Sequence, residues 1–296
     1  MATGVGKRTA VGIAVASGWV GAILLLPSYV IFAVFLCAAV ICQLEFSAMT
    51  AKRGMNCGKW STLFAGCMWL GFCYMFPTGV CNAVPKLHVL EMVLFTAMGF
   101  YLFCRLLFDP KVQKPIESAA FAVLGFFYLP FMLSFLLRLA QWGAQRHFEI
   151  TSEGIFLALF LVAVVKCSDI GGFAIGIPFG RHKMFPRISP GKSWEGLAGG
   201  LAASALMSVG LVKLAQIYPS IKGSAVAGFS IPEAAVLGLV LGGVGVIGDL
   251  IESMFKRAAE IKDSGGALPG LGGILDTFDS LIFPPAVLYF YLLWTA

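Results

Sequence analysis

Apolar runs of membrane-spanning length recur along almost the whole chain, broken by short polar stretches. A hydrocarbon layer of about 30 Å takes roughly 20 predominantly apolar residues per helical crossing. Windows of that kind predict nine helices: Thr9 to Leu26, Ser28 to Leu44, Ser61 to Cys81, Val89 to Phe108, Ser118 to Leu137, Ile155 to Ile177, Trp194 to Ile217, Ile231 to Gly248, and Asp279 to Trp294. Pro27 makes a tight turn between the first two. Lipid offers no hydrogen bonds to the backbone, so a spanning segment must pair its own N–H and C=O groups, as a helix does. The pattern predicts an all-α, polytopic integral membrane protein with about nine transmembrane helices.

Composition agrees. With 59% hydrophobic and 12% charged residues and a mean hydropathy of +0.89, the chain exceeds the roughly 45–50% apolar share of soluble domains. No internal repeat and no low-complexity linker divides it, so residues 1–296 are expected to form a single transmembrane domain. The first apolar segment follows Lys7 and Arg8 and shows no small-residue cleavage site, which predicts a retained helix. The eight cysteines include no CxxC pair and fall mostly in apolar segments, as small packing residues do. His88, His147 and His182 are dispersed and give no metal spacing.

Charge sets the orientation. Fifteen Lys and Arg fall at the N-terminus and in the even-numbered loops, five fall in the odd-numbered loops, and Lys166 lies within a span. The positive-inside rule then places the N-terminus and the even loops in the cytoplasm and the C-terminus outside.

Chemistry concentrates near the C-terminus. There Gly248-Asp249 leads into Ser253, Phe255, Lys256 and Arg257, then Lys262-Asp263 and Gly265, then Pro269, Gly272-Gly273-Ile274, Asp276 and Phe278-Asp279. Ionisable groups beside membrane-length apolar segments are costly and point to function. Asp276 and Asp279 are three apart, so on one helical turn they face the same way and could share a hard divalent cation. Lys256, Arg257 and Lys262 supply charge for phosphates.

This spaced pattern resembles the signature of the phosphatidate cytidylyltransferases, also called CDP-diacylglycerol synthases. The chain has Leu271 where that family usually carries His, and Thr277 where it usually carries Arg. A second stretch is similar to the family too: Asp169-Ile170-Gly171 within a span, Gly180-Arg181 after it, and Ser189-Pro190-Gly191-Lys192-Ser193-Trp194-Glu195-Gly196 opening the next helix. Gly-Lys-Ser alone lacks the glycine spacing and preceding strand of a P-loop. A helix start after Pro190 and Gly191 nevertheless directs backbone N–H groups at the loop, where an anion binds readily. Glu45 also matches the family, and a boundary carboxylate explains it equally well.

The resemblance implies transfer of a cytidylyl group from CTP to phosphatidic acid, giving CDP-diacylglycerol and pyrophosphate for phospholipid synthesis. It is densest over about 155–296. The implied catalytic residues are Asp249, Lys262, Asp263, Asp276 and Asp279. Asp249, Asp276 and Asp279 would hold Mg²⁺, with Mn²⁺ as a substitute. Substrate contacts are expected from Asp169, Ser189, Lys192, Ser193, Glu195, Ser253, Lys256, Arg257, Gly272 and Gly273. A homodimer in the cell (inner) membrane, in contact with membrane lipids and without nucleic acid, completes the expectation. The alternatives are a CTP-dependent transferase or kinase acting on another membrane lipid, and an ion-coupled transporter using Lys166 and Asp169.

Overall fold

The structure is a computed structural model that describes residues 26–52, 54, 58–77, 85–108, 114–218, 224–266 and 272–295. Among these the chain is almost wholly helical, with seven helices long and apolar enough to cross a membrane. In chain order the elements are α1 (Ser28–Lys52), α2 (Lys59–Met75), α3 (Pro85–Leu107), α4 (Pro115–Ala140), α5 (Ser152–Phe179), the short strands β1 (Lys183–Phe185) and β2 (Ser189–Ser193), α6 (Trp194–Ile217), α7 (Ile231–Ala258), α8 (Leu275–Phe278) and α9 (Pro284–Thr295). The last candidate span runs over Leu275–Thr295. Eight of the nine predicted helices correspond to observed ones. The predicted helix Thr9 to Leu26 lies outside the described residues apart from Leu26, as do Cys81 and Leu271. The 17-residue α2 is about 25 Å long at 1.5 Å per residue.

The chain forms two compact units, Met1–Ile150 with Ala259–Thr277, and Thr151–Ala258 with Phe278–Ala296. In the first, α2 packs against α1, α3 and α4 around an aromatic core. Trp69 lies 5.6 Å from Phe95, 6.3 Å from Phe126 and 5.7 Å from Phe131, ring centre to ring centre. Pro130 has no N–H to give to the helix, and α4 absorbs the defect in a π-helical turn over Phe127–Phe131. Arg138 is buried and is matched by Glu91 at 2.5 Å and Cys73 Sγ at 3.3 Å, which satisfies a charge that burial would otherwise penalise.

The second unit is built on α5, α6 and α7, which pack on one another through small residues. On α5 the seam is Ser168, Gly171, Gly172 and Gly176, and on α6 it is Gly196, Gly199, Gly200 and Ser204. A Cβ on Gly200 would come within 2.7 Å of the Ser168 carbonyl oxygen, and one on Gly196 within 2.9 Å of the Gly172 carbonyl oxygen. Backbones can approach so closely only where side chains are absent. Gly238 and Gly242 extend this seam along α7 against Ser204 and Ser208, while Gly245 and Gly248 face Ser280 and Asp279.

The end of the eighth predicted helix and the loop before α6 differ from the sequence reading, and α1 runs on to Lys52 rather than Leu44. The eighth predicted helix was expected to stop at Gly248, with Lys256 and Arg257 in a loop, but α7 continues to Ala258. Its polar end keeps helical spacing: Glu252 follows Asp249 by three and pairs with Lys256 four residues on. Lys256 and Arg257 occupy the last turn, where cations favour the helix dipole. The loop before α6 is an antiparallel hairpin, with Lys183 opposite Ser193 and Phe185 opposite Ser189. A helix-period search passes over strands this short.

Candidate active site

Within the second unit, α7 turns Asp249 and Glu252 toward the same side, and the 3₁₀ turn Asp279–Leu281 brings Asp279 to them. Gly248 permits this, because a Cβ there would stand 2.6 Å from the Asp279 carbonyl oxygen. One carboxylate oxygen from each of Asp249, Glu252 and Asp279 lies within 4.8 Å of the others. Glu252 is wholly buried and Asp279 is 9% exposed. Three carboxylates this close repel strongly when shielded from water, so cations must accompany them.

Two cations of the chain do. Lys192 Nζ, delivered by β2, stands 2.7 Å from Asp249 Oδ2 and donates to the Val246 carbonyl at 3.2 Å. Lys256 Nζ stands 2.6 Å from Glu252 Oε2. The Ser253 hydroxyl donates to Asp249 Oδ1 at 3.4 Å. Nearby, Lys166 Nζ donates to Ser280 Oγ at 2.8 Å and reaches Asp169 Oδ2 at 3.5 Å, and Ser280 Oγ in turn donates to that oxygen at 3.2 Å. Two lysines among three clustered carboxylates leave an excess of negative charge. The donors are all hard carboxylate oxygens, the set that Mg²⁺ and Mn²⁺ take, so the residues present fit a divalent cation.

A cavity of about 410 Å³ adjoins this cluster. Asp169, Lys192, Ser193 and Asp249 line it together with glycines of the α5–α6 seam and apolar Phe173, Ile177, Leu197 and Val246. Polar groups therefore share one pocket with a wall suited to hydrocarbon. Phe173 and Ile177 are also largely exposed, as lipid-facing residues of a span are.

Other residues singled out in the sequence have chiefly architectural partners. Ser193 caps α6, its Oγ accepting from Gly196 N. Glu195 accepts from the N–H groups of Arg181 and His182 and from the His182 ring, which fixes the base of the hairpin. Ser189 begins β2, and Arg257 Nε donates to the Ile188 carbonyl at 3.2 Å.

In the first unit, Lys262 and Asp263 are exposed. Asp276 there accepts from Ser264 N at 3.1 Å and Gly273 N at 2.7 Å, and Gly272 takes a φ of +96° beside it.

Two carboxylates were underweighted in the sequence. Glu252 is absent from the predicted site although its offset of three from Asp249 puts it on the same helical face. Glu45 read as a boundary residue, yet it is buried and hydrogen-bonded to residues 264, 274 and 275. The sequence placed it just beyond a helix expected to end at Leu44, whereas α1 continues past it to Lys52.

Residues 6–295 match the cytidylyltransferase family. The chain is 32% identical over 241 residues to a phosphatidate cytidylyltransferase of Staphylococcus saprophyticus, covering 81% of this chain and 83% of that protein. A Staphylococcus aureus phosphatidate cytidylyltransferase is 34% identical over 204 residues, 68% of this chain and 69% of the other. One from Haemophilus influenzae is 39% identical over 141 residues, 47% and 46% of the two chains.

Proposed function

The chain belongs to the cytidylyltransferase family, and from that premise we propose that it transfers the cytidylyl group of CTP to phosphatidic acid. The products are CDP-diacylglycerol, which stays in the membrane, and pyrophosphate. The observation that carries this reading is the meeting of Asp249, Glu252 and Asp279 with Lys192 and Lys256 beside a cavity that is polar at the cluster and apolar along its helices. That combination suits a reaction joining a polyphosphate to a lipid.

A phosphate oxygen of phosphatidic acid attacks the α-phosphorus of CTP. The bond from that phosphorus to the α–β bridging oxygen breaks, and its electron pair leaves with pyrophosphate. A phosphate monoester is already anionic near neutral pH, so no Ser, Cys or His nucleophile is needed, and the Leu271 substitution removes nothing essential. Lys192, Lys256 and Arg257 bind the phosphates, and Lys262 with Asp263 completes the polar surroundings. Mg²⁺ or Mn²⁺ held by Asp249, Asp279 and Glu252 would polarise the α-phosphate and offset charge on the departing group; the family resemblance alone adds Asp276 to the metal ligands. The protein's share is alignment and electrostatics.

The remaining substrate contacts are Asp169, Ser189, Ser193, Glu195, Ser253, Gly272 and Gly273. The chain works as one catalytic domain, as a homodimer, with the N-terminus and the site loops on the cytoplasmic face of the cell membrane. Charge asymmetry supports the orientation, and the family resemblance supports the dimer.

The test is purified protein with radiolabelled CTP, Mg²⁺ and phosphatidic acid. Label in the organic phase together with stoichiometric pyrophosphate is expected. Label confined to water, or transfer only to a polyprenyl phosphate, overturns the reading. A cysteine at exposed Arg187, in a background lacking reactive native thiols, should react with an impermeant reagent only from the cytoplasmic side.

A further inference from the structure

Glu45 takes no part in the chemistry above, yet it is one of the most heavily bonded carboxylates of the first unit. It lies on α1, only 8% exposed. Its Oε2 accepts from Leu275 N at 2.8 Å and from Ser264 Oγ at 3.2 Å, and its Oε1 accepts from Ile274 N at 3.1 Å. A Cβ on either Gly265 or Gly273 would collide with this carboxylate, so both glycines are needed for the segment to close over it. Burying an anion is costly unless donors surround it, and here the donors come from a segment more than two hundred residues away in sequence.

Asp276 holds the same segment from within. Its carboxylate accepts from Ser264 N and Gly273 N. Ser264 is thus bound twice, through its hydroxyl by Glu45 and through its amide by Asp276. Gly273, Ile274 and Leu275 complete the clasp. Glu45 thereby holds Ile274 and Leu275, next to Asp276, while Asp276 holds the amide of Ser264, next to Asp263.

We propose that Glu45 is a positioning residue for nucleotidyl transfer: it anchors Ser264 and Gly273–Leu275 and so orients the neighbouring Asp276, Lys262 and Asp263. The anchoring rests on geometry alone, whereas its catalytic consequence rests on the cytidylyl-transfer reading. Replacing Glu45 with Gln puts an NH₂ group among N–H and O–H donors, and buried donors left unpaired are unfavourable enough to drive local rearrangement.

The experiment compares the full-length chain with Glu45→Gln in lipid nanodiscs, by hydrogen–deuterium exchange and by steady-state transfer from labelled CTP. In the variant, amides of 262–266 and 272–276 should exchange at least tenfold faster, while those of α5 and α7 keep their rates. The turnover number should fall at least thirtyfold with KM for CTP within threefold, because Lys192, Lys256 and Arg257 stand on elements that Glu45 does not touch. Unchanged exchange over 262–266 and 272–276 overturns the anchor. A released segment with wild-type turnover overturns the positioning role.

If Glu45→Gln speeds exchange everywhere, Ser264→Ala replaces it. Removing one donor should loosen the same peptides alone and cost severalfold in turnover, and failure of either result overturns the proposal. Wild-type protein with a protected segment but no transfer would overturn the reaction and the catalytic half of the proposal, while leaving the anchor standing.

Discussion

Lys192 and Asp249 form an ion pair, with Nζ and Oδ2 2.7 Å apart, that ties the strand entering α6 to the polar end of α7. Their side chains are 23% and 29% exposed, so the pair lines the cavity and can be reached by a substrate. Asp249 is meanwhile crowded by Glu252 and Asp279. The lysine therefore steadies the carboxylates, and in the proposed reaction it presents a positive charge to an incoming phosphate. Lys192→Met should leave the helices intact by circular dichroism and lower the transfer rate by about a hundredfold, ~2.7 kcal/mol in barrier. A rate within threefold of wild type would remove Lys192 from the site.

Glu252 tests the carboxylate cluster. Asp249→Asn and Asp279→Asn should each keep the protein folded and abolish nearly all turnover. Glu252→Gln should retain some turnover while raising the Mg²⁺ concentration for half-maximal rate about tenfold, ~1.4 kcal/mol of binding. Chelation should stop the wild-type reaction. Mg²⁺ or Mn²⁺ should restore it and Ca²⁺ restore it poorly, since its looser coordination misplaces an in-line group. The check is a metal titration of initial rates, and an unshifted curve for Glu252→Gln would exclude it as a ligand.

Gly242 tests the helix seam. A Cβ there would stand 2.8 Å from Ser204 Cβ and 3.2 Å from Ser168 Oγ. Gly242→Val should destabilise the second unit by roughly 1–3 kcal/mol, the usual cost of overpacking, seen as a lower unfolding temperature in detergent. Gly210, which has open space around it, supplies the control: Gly210→Ala should not lower that temperature.

Thr277 stands where related sequences usually carry Arg. It is half-buried, its N–H donates to the Ile274 carbonyl at 3.0 Å, and its hydroxyl reaches the Gly273 carbonyl at 3.5 Å. Thr277→Arg keeps the backbone bond and adds a flexible cation. Transfer should stay within about tenfold of wild type, ~1.4 kcal/mol, and an inactive variant would show that the pocket has reorganised around threonine.

The spans were legible because a helix in lipid needs only length and apolarity, and both are local. The end of α7 was not, because Asp249, Ser253, Lys256 and Arg257 break the apolar run without breaking the helix. Polarity there does not mark a terminus. Asp249 and Asp279 stood out as acids beside oily segments. Glu252 escaped notice because its role depends on Asp279 arriving from a distant turn. Glu45 looked ambiguous for the same reason, since its partners at 264, 274 and 275 are joined to it only by folding. The hairpin over Lys183–Ser193 is too short to carry a period of its own.

The cavity wall contributed by Gly172, Gly176, Gly196 and Gly200 is made of main chain, so its contour is set by the spacing of α5 and α6. A wall of that kind has no side chain left to trim. Single substitutions along it can only narrow the space, and at Gly196 and Gly200 they would also strike neighbouring carbonyls. In descent, the room on this side of the cavity can contract one mutation at a time. Widening it requires the two helices to move apart, which demands coordinated change along the whole seam.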